Sequence, residues 1–131
     1  MTDFMMTRPP LIYIAGPFTG PTAWDIAENV REAERHGLLV AKAGGMPVIP
    51  HANTHLFHGQ LTEAFWYAGT MQLLRVCDGI FLCARWRESK GARAEYEEAH
   101  RLGLPAFDYQ GPHNDEIRSF VEDCATTESE P

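Results

Sequence analysis

The 131-residue chain is short of cysteine, short of positive charge, and has no long apolar run. Its 3 cysteines form no C-x-x-C pair, which excludes a disulfide framework and a cysteine-based zinc site. Lysine and arginine number 11 against 18 aspartates and glutamates, a formal net charge of −7. That balance speaks against a nucleic-acid polymer as partner, because backbone binders cluster Lys and Arg. It leaves room for a small anion, held by a local basic pocket or a helix N-terminus. Apolar runs stop at about five residues, too few to span a bilayer, so no membrane partner is expected. No charged stretch followed by an apolar one opens the chain, so no secretory signal is predicted. The expected location is therefore cytoplasmic, with thiols reduced. What remains is ordinary globular material, 44% hydrophobic and 22% charged. Its length suits one domain that buries roughly two thirds of its unfolded surface.

Leu11-Ile12-Tyr13-Ile14-Ala15, closed by Gly16-Pro17, reads as a buried strand. Pro21-Thr22 opens a helix that Thr22 caps, with Asp25 favouring its positive end. Ile26, Val30, Ala33 and Gly37 keep the helical period, which ends at or before Gly44-Gly45. Met46 to Pro50 is a second strand, its prolines predicting an edge. A histidine-rich loop, His51 to Gln60, leads to a helix over Leu61 to Val76. Asp78 to Ala84 is apolar on both faces, as a covered parallel strand should be. Arg85 to Lys90 is a polar loop, and Gly91 to Leu102 a third helix stopped by Gly103. Pro105 to Tyr109 reads as a fourth strand and Asn114 to Cys124 as a last amphipathic helix. Residues 1–9 and 125–131 are expected to be flexible.

Strand and helix thus alternate through a single domain spanning 1–131. This predicts a doubly wound, mainly parallel sheet of four to five strands between two helix layers, a flavodoxin- or Rossmann-like sandwich. In such sheets ligands sit outside the carboxyl ends of the strands. Three loops lie there: Gly16 to Pro21, Pro50 to Leu61, and Arg85 to Gly91.

Gly16-Pro17-Phe18-Thr19-Gly20 has glycines at both ends and a hydroxyl between them. It matches neither G-x-G-x-x-G nor the P-loop pattern, so it is either a cradle for a sugar or phosphate or a plain strand-to-helix turn. In Ser89-Lys90-Gly91-Ala92-Arg93-Ala94-Glu95 the serine stands at a helix cap, with the next amides at the ligand edge. Glu95 follows Gly91 by about one helical turn and faces the same edge. Near the positive end of its helix the carboxylate is expected to stay ionised. An ionised carboxylate there suits attack on an anomeric carbon, by stabilising an oxocarbenium-like transition state or bonding to it. A solvated helix face is the competing assignment, since Glu97 and Glu98 follow.

Taken together, Tyr13-Ile14-Ala15-Gly16-Pro17-Phe18-Thr19-Gly20, Cys77-Asp78-Gly79, Trp86, Ser89-x-Gly91-Ala92 and Glu95 resemble the nucleoside 2-deoxyribosyltransferase superfamily, which includes the nucleoside 5′-monophosphate N-glycosidases. The likeness is greatest to short, uncharacterised bacterial and phage members and covers roughly Ile12 to Tyr109. The resemblance implies that Glu95 is the nucleophile at the sugar C1 and that Tyr13 orients it. It further implies that Ser89, Gly91 and the Gly16 to Gly20 loop hold the 5′ end of the substrate. A small-molecule nucleoside or nucleotide as partner, no cofactor and a homodimer follow from it as well.

The chain departs from that pattern. The family carries an aspartate eight residues before the one opening the central strand, where it helps protonate the leaving base; counted back from Asp78, this chain has Thr70. Threonine is no general acid at neutral pH. Either Glu63 or one of His51, His55 and His58 replaces it, or the chemistry has weakened. Thr19 stands where a monophosphate glycosidase has an arginine; Arg85, Arg87 and Arg93 are substitutes or ordinary surface charges. Asp78, about 20 Å from the ligand edge, reads as structural. Trp86 stacks on a base or covers the core edge. The spacing His51-x-x-x-His55-x-x-His58 suits zinc on a helix, but Pro50, Asn53 and Gly59 interrupt one and no further ligand completes a site. No metal is therefore expected, and a substrate-lining loop is preferred. Cys77 and Cys83 read as core thiols. Phe65, Trp66, Met71, Leu73 and Leu74 are core or, as in the resembled family, a dimer face. The reading is cleavage or transfer at the N-glycosidic bond of a (deoxy)nucleoside or its 5′-monophosphate. A nucleotide-binding or sensor domain and a zinc hydrolase on the His51 loop are the alternatives.

Overall fold

The run Leu11–Ala15 is apolar at every position, and the fold uses both of its faces. In the computed structural model, which describes residues 8–111 and 113–129, it forms strand β1 near the middle of the sheet. Strands β2 (Met46–Val48), β3 (Gly79–Leu82) and β4 (Ala106–Asp108) complete a four-stranded sheet in the order β2-β1-β3-β4, every pair parallel. The prolines of β2 sit where they do least harm, since β2 is an edge strand. Tyr13 pairs with Val48 on one side and Ile80 on the other. The direction of strand order reverses at β1 and β3, which places the switch point between their carboxyl ends.

Helices α1 (Ala23–Lys42) and α5 (His113–Ser129) cover one face. Ile12, Ile14, Phe81 and Cys83 meet Ala33, Val40, Ile117 and Val121 there. Helices α3 (Glu63–Arg75) and α4 (Lys90–Arg101) cover the other, where Tyr13, Ile80 and Leu82 meet Met71, Leu74, Ala92 and Ala99. The predicted three-layer α/β sandwich is therefore the observed one. Cys77 and Cys83, both buried and free, belong to opposite layers. Burial pushes the Cys77 thiol up to about 12 and Cys83 higher still.

Each long helix with a clear start has a side-chain cap. Thr22 and Asp25 form a reciprocal capping box on α1. Thr62 accepts from the Phe65 amide at 3.2 Å, and Ser89 from the Ala92 amide at 3.1 Å. After α4 the chain reverses at Gly103, whose φ of 77° only glycine adopts freely. Asp78 is structural, as expected. Its carboxylate accepts from the Leu11 amide at 2.8 Å while its own amide donates to the Leu11 carbonyl at 2.7 Å, fixing the register of β1 against β3.

Three expectations are corrected. Met46 to Pro50 is not all strand, and His51 to Gln60 is not all loop. Pro50–Thr54 is a short helix, α2, followed by a 3-10 turn at His55–Phe57. Proline suits the first helical turn because the amide it lacks has no helical partner there. The last helix also runs past Cys124 to Ser129, since Ala125 to Ser129 contains neither glycine nor proline. The expectation of flexible ends for residues 1–7, 130 and 131 falls outside the described residues. No helix among the described residues is long and apolar enough to cross a membrane.

Candidate functional site

Strand alternation turns Tyr13 toward α3 and α4, and the Ser89 cap sets the phase of α4 so that Glu95 comes to meet it. The fully buried Tyr13 hydroxyl donates to Glu95 Oε2 at 2.6 Å. Thr70 stands beside the pair, its hydroxyl donating to the Tyr67 carbonyl at 3.1 Å. Glu95, Tyr13 and Thr70, far apart in sequence, are thus one cluster. Burial pushes the Glu95 carboxyl up to about 7, with the Tyr13 hydrogen bond pulling the other way. This corrects the expectation of a permanently ionised carboxylate. Desolvation between the helix layer and the sheet outweighs the helix dipole, which acts through the first turn only. Burial, the Glu95 charge and the Glu95 hydrogen bond all raise Tyr13, so the phenol stays protonated and serves as a donor.

The loop from Gly16 to Gly20 leaves β1 at the same edge. Gly16 is required by space, because a Cβ there would lie 2.8 Å from the Cβ of Cys83. His51 Nε2 is 3.0 Å from the carbonyls of both Gly16 and Pro17. Asn29 Nδ2 donates to the carbonyls of Phe18 at 3.0 Å and Thr19 at 3.4 Å. Arg85, in the left-handed region at φ 63°, donates from Nη2 to Asn29 Oδ1 at 3.0 Å and lies 3.8 Å from Glu32. The β3-to-α4 connection is thereby tied to the first loop. Asn29 was not singled out in the sequence; its signal was an amide on the apolar stripe that carries Val30, Ala33, Gly37 and Val40.

Other candidates have different surroundings. Trp86 is not open to a base: it is 7% exposed, packs 5.0 Å from the Tyr96 ring, and carries the Arg87 guanidinium 4.6 Å above it. Of the two assignments, covering the core edge is the one observed. Gly91 stands clear of neighbours, with only Ser89 Oγ near a built Cβ, at 3.9 Å. Arg93 donates to the Arg87 carbonyl at 2.6 Å, so all three arginines named as phosphate substitutes are bound to other groups of the protein. Glu63 is exposed at the start of α3. His58 approaches Phe18 at 5.7 Å between ring centroids, while His51 is committed to the loop carbonyls. Among the described residues no three His, Cys, Asp or Glu side chains are grouped to hold a metal ion. On α3, Met71 and Leu74 are core, whereas Phe65 and Leu73 remain exposed.

Residues 10–108 match the model of a domain of unknown function, DUF4406. The chain belongs to the DUF4406 family. The match runs from the residue before β1 to the end of β4, so the DUF4406 domain holds every side chain just described and leaves out α5. Curated proteins give no match.

Proposed function

We propose that this DUF4406 domain cleaves, or transfers, the N-glycosidic bond of a nucleoside or nucleoside 5′-monophosphate. The observation that carries the reading is the 2.6 Å hydrogen bond from Tyr13 to Glu95 at the carboxyl edge of the sheet. In its ionised form Glu95 attacks C1 of the sugar. The C1–O bond to the carboxylate forms, the C1–N bond breaks, and the base leaves with the electron pair and takes a proton from solvent. Water then attacks C1 and gives its proton to solvent as the C1–O bond to Glu95 breaks, releasing the sugar and restoring the carboxylate; a second base in place of water, losing its N–H proton likewise, gives transfer. Tyr13 fixes the rotamer of the attacking group, and the Gly16 to Gly20 loop holds the 5′ end.

A nucleotide-binding domain without turnover is the second reading, favoured by Thr70 standing where an acid would protonate the base. The test is incubation with a panel of ribo- and deoxyribonucleosides and their monophosphates, with free base measured by chromatography. Base release supports the glycosidase; saturable binding with no release supports the second reading; neither overturns both.

Because Glu95 must be ionised to attack, base release is expected to rise with pH through about 7. Tyr13→Phe removes the bond that lowers the Glu95 pKa, so the rise should move to higher pH. Loss of one hydrogen bond to a charged group should also cost roughly 10-fold to 100-fold in kcat/KM at the plateau. A pH–rate profile of the variant identical in midpoint to the wild type would remove Tyr13 from the mechanism.

A further inference from the structure

The buried polar side chains among the described residues are Asn29 and His51, each 8% exposed, and both serve one loop. Between them they bind four successive carbonyls: His51 takes Gly16 and Pro17, Asn29 takes Phe18 and Thr19. Both partners of His51 Nε2 are acceptors, so that nitrogen carries the proton. Nδ1 of the same ring is buried without a partner, which suits the neutral tautomer and leaves no place for a second proton. Burial accordingly holds the imidazole below its ordinary pKa, against the pull of the two carbonyls.

The described chain has no cis peptide bond, and in a trans peptide each N–H points opposite the preceding carbonyl. Turning the carbonyls of Pro17, Phe18 and Thr19 toward α1 and α2 therefore turns the amides of Phe18, Thr19 and Gly20 the other way. Neither backbone nor side-chain acceptors of the described residues take those three amides. Successive N–H groups of this kind form a concave donor surface for an oxygen acceptor.

We propose that His51 and Asn29 are positioning residues, which orient the Phe18, Thr19 and Gly20 amides toward an oxygen of the substrate. This rests on the reading of the loop as the holder of the 5′ end. Arg85 acts through Asn29, holding its amide in the orientation that presents Nδ2 to the loop. The two clamps touch neither Glu95 nor Tyr13, so they govern binding of the substrate and not the bond-breaking step.

Three variants test it. His51→Leu removes the donor; His51→Gln returns an N–H at nearly the position of Nε2. Asn29→Asp keeps the shape and the Arg85 contact but sets a carboxylate oxygen against two carbonyls. His51→Leu and Asn29→Asp are expected to raise KM for the nucleoside that is cleaved at least 10-fold with kcat within about threefold, and His51→Gln to recover most of the loss. An unchanged KM, or parallel losses in kcat that His51→Gln does not rescue, would overturn the proposal. A second measurement is independent of turnover. The imidazole ¹⁵N shifts of the wild type should report Nε2–H, and the Phe18 to Gly20 amide resonances should move in Asn29→Asp and return toward wild type in His51→Gln relative to His51→Leu. If those shifts behave so while no nucleoside is cleaved or bound, the glycosidase reading fails and the positioning stands. A protonated Nδ1 or unmoved loop resonances sink the positioning whatever the activity.

Discussion

Glu95→Gln is expected to abolish base release and, at pH 8, to melt at a higher temperature than the wild-type protein. Loss of the attacking carboxylate should lower kcat by roughly 10³-fold or more, as removal of a nucleophile does elsewhere. The gain in stability comes from the same burial that tunes the group. The folded-state pKa, about 7, lies above the ordinary 4.5, so between these values the unfolded chain has released its proton while the folded one retains it. Stability is therefore full below the lower value, falls as pH rises, and above about 7 has lost at most about 3 kcal/mol. Glutamine carries no charge to desolvate and still accepts from Tyr13. Melting curves should separate by up to roughly 10 °C at pH 8 and converge near pH 4. Base release that survives the substitution ends the assignment of Glu95; equal melting at both pH values ends the account of its burial.

Phe81→Ala is expected to cost about 3–5 kcal/mol, a large share of the 5–15 kcal/mol that a domain of this kind holds in total. Phe81 is fully buried on β3, with the His36 ring 5.1 Å away and α1 and α5 closing over it. Deleting the ring leaves a void that two helices and a sheet cannot all collapse into. Urea unfolding measures the loss, and a change under 1 kcal/mol would mean the layer repacks freely. The Tyr13–Glu95 pair lies on the other face of the sheet, so the activity per folded molecule should hold where the variant is still folded.

The strands were readable because each is a short apolar run cut by Gly, Pro or Asp, and prolines marked β2 as an edge; the order β2-β1-β3-β4 was not, since it depends on which crossovers pack. Glu95 was readable as a candidate by type and place in the chain, with Tyr13 set beside it only by the family resemblance. The state of Glu95 was not, since its proton is governed by how closely two layers approach, which no local pattern records. His51 looked like a ligand or an acid when counted along the chain. Only the seating of α2 under the first loop gives it two carbonyls and removes it from proton transfer. Trp86 was ambiguous for the same reason: the 3-10 turn that carries it decides whether its ring faces inward.

The contact between Gly16 and Cys83 has a consequence for descent. The backbones pass so closely that a Cβ on the first falls 2.8 Å from the Cβ of the second, and trimming the thiol alone does not make room. A side chain at position 16 becomes tolerable when position 83 loses its own. Across related chains these two positions are therefore expected to change together, with glycine at one or the other throughout.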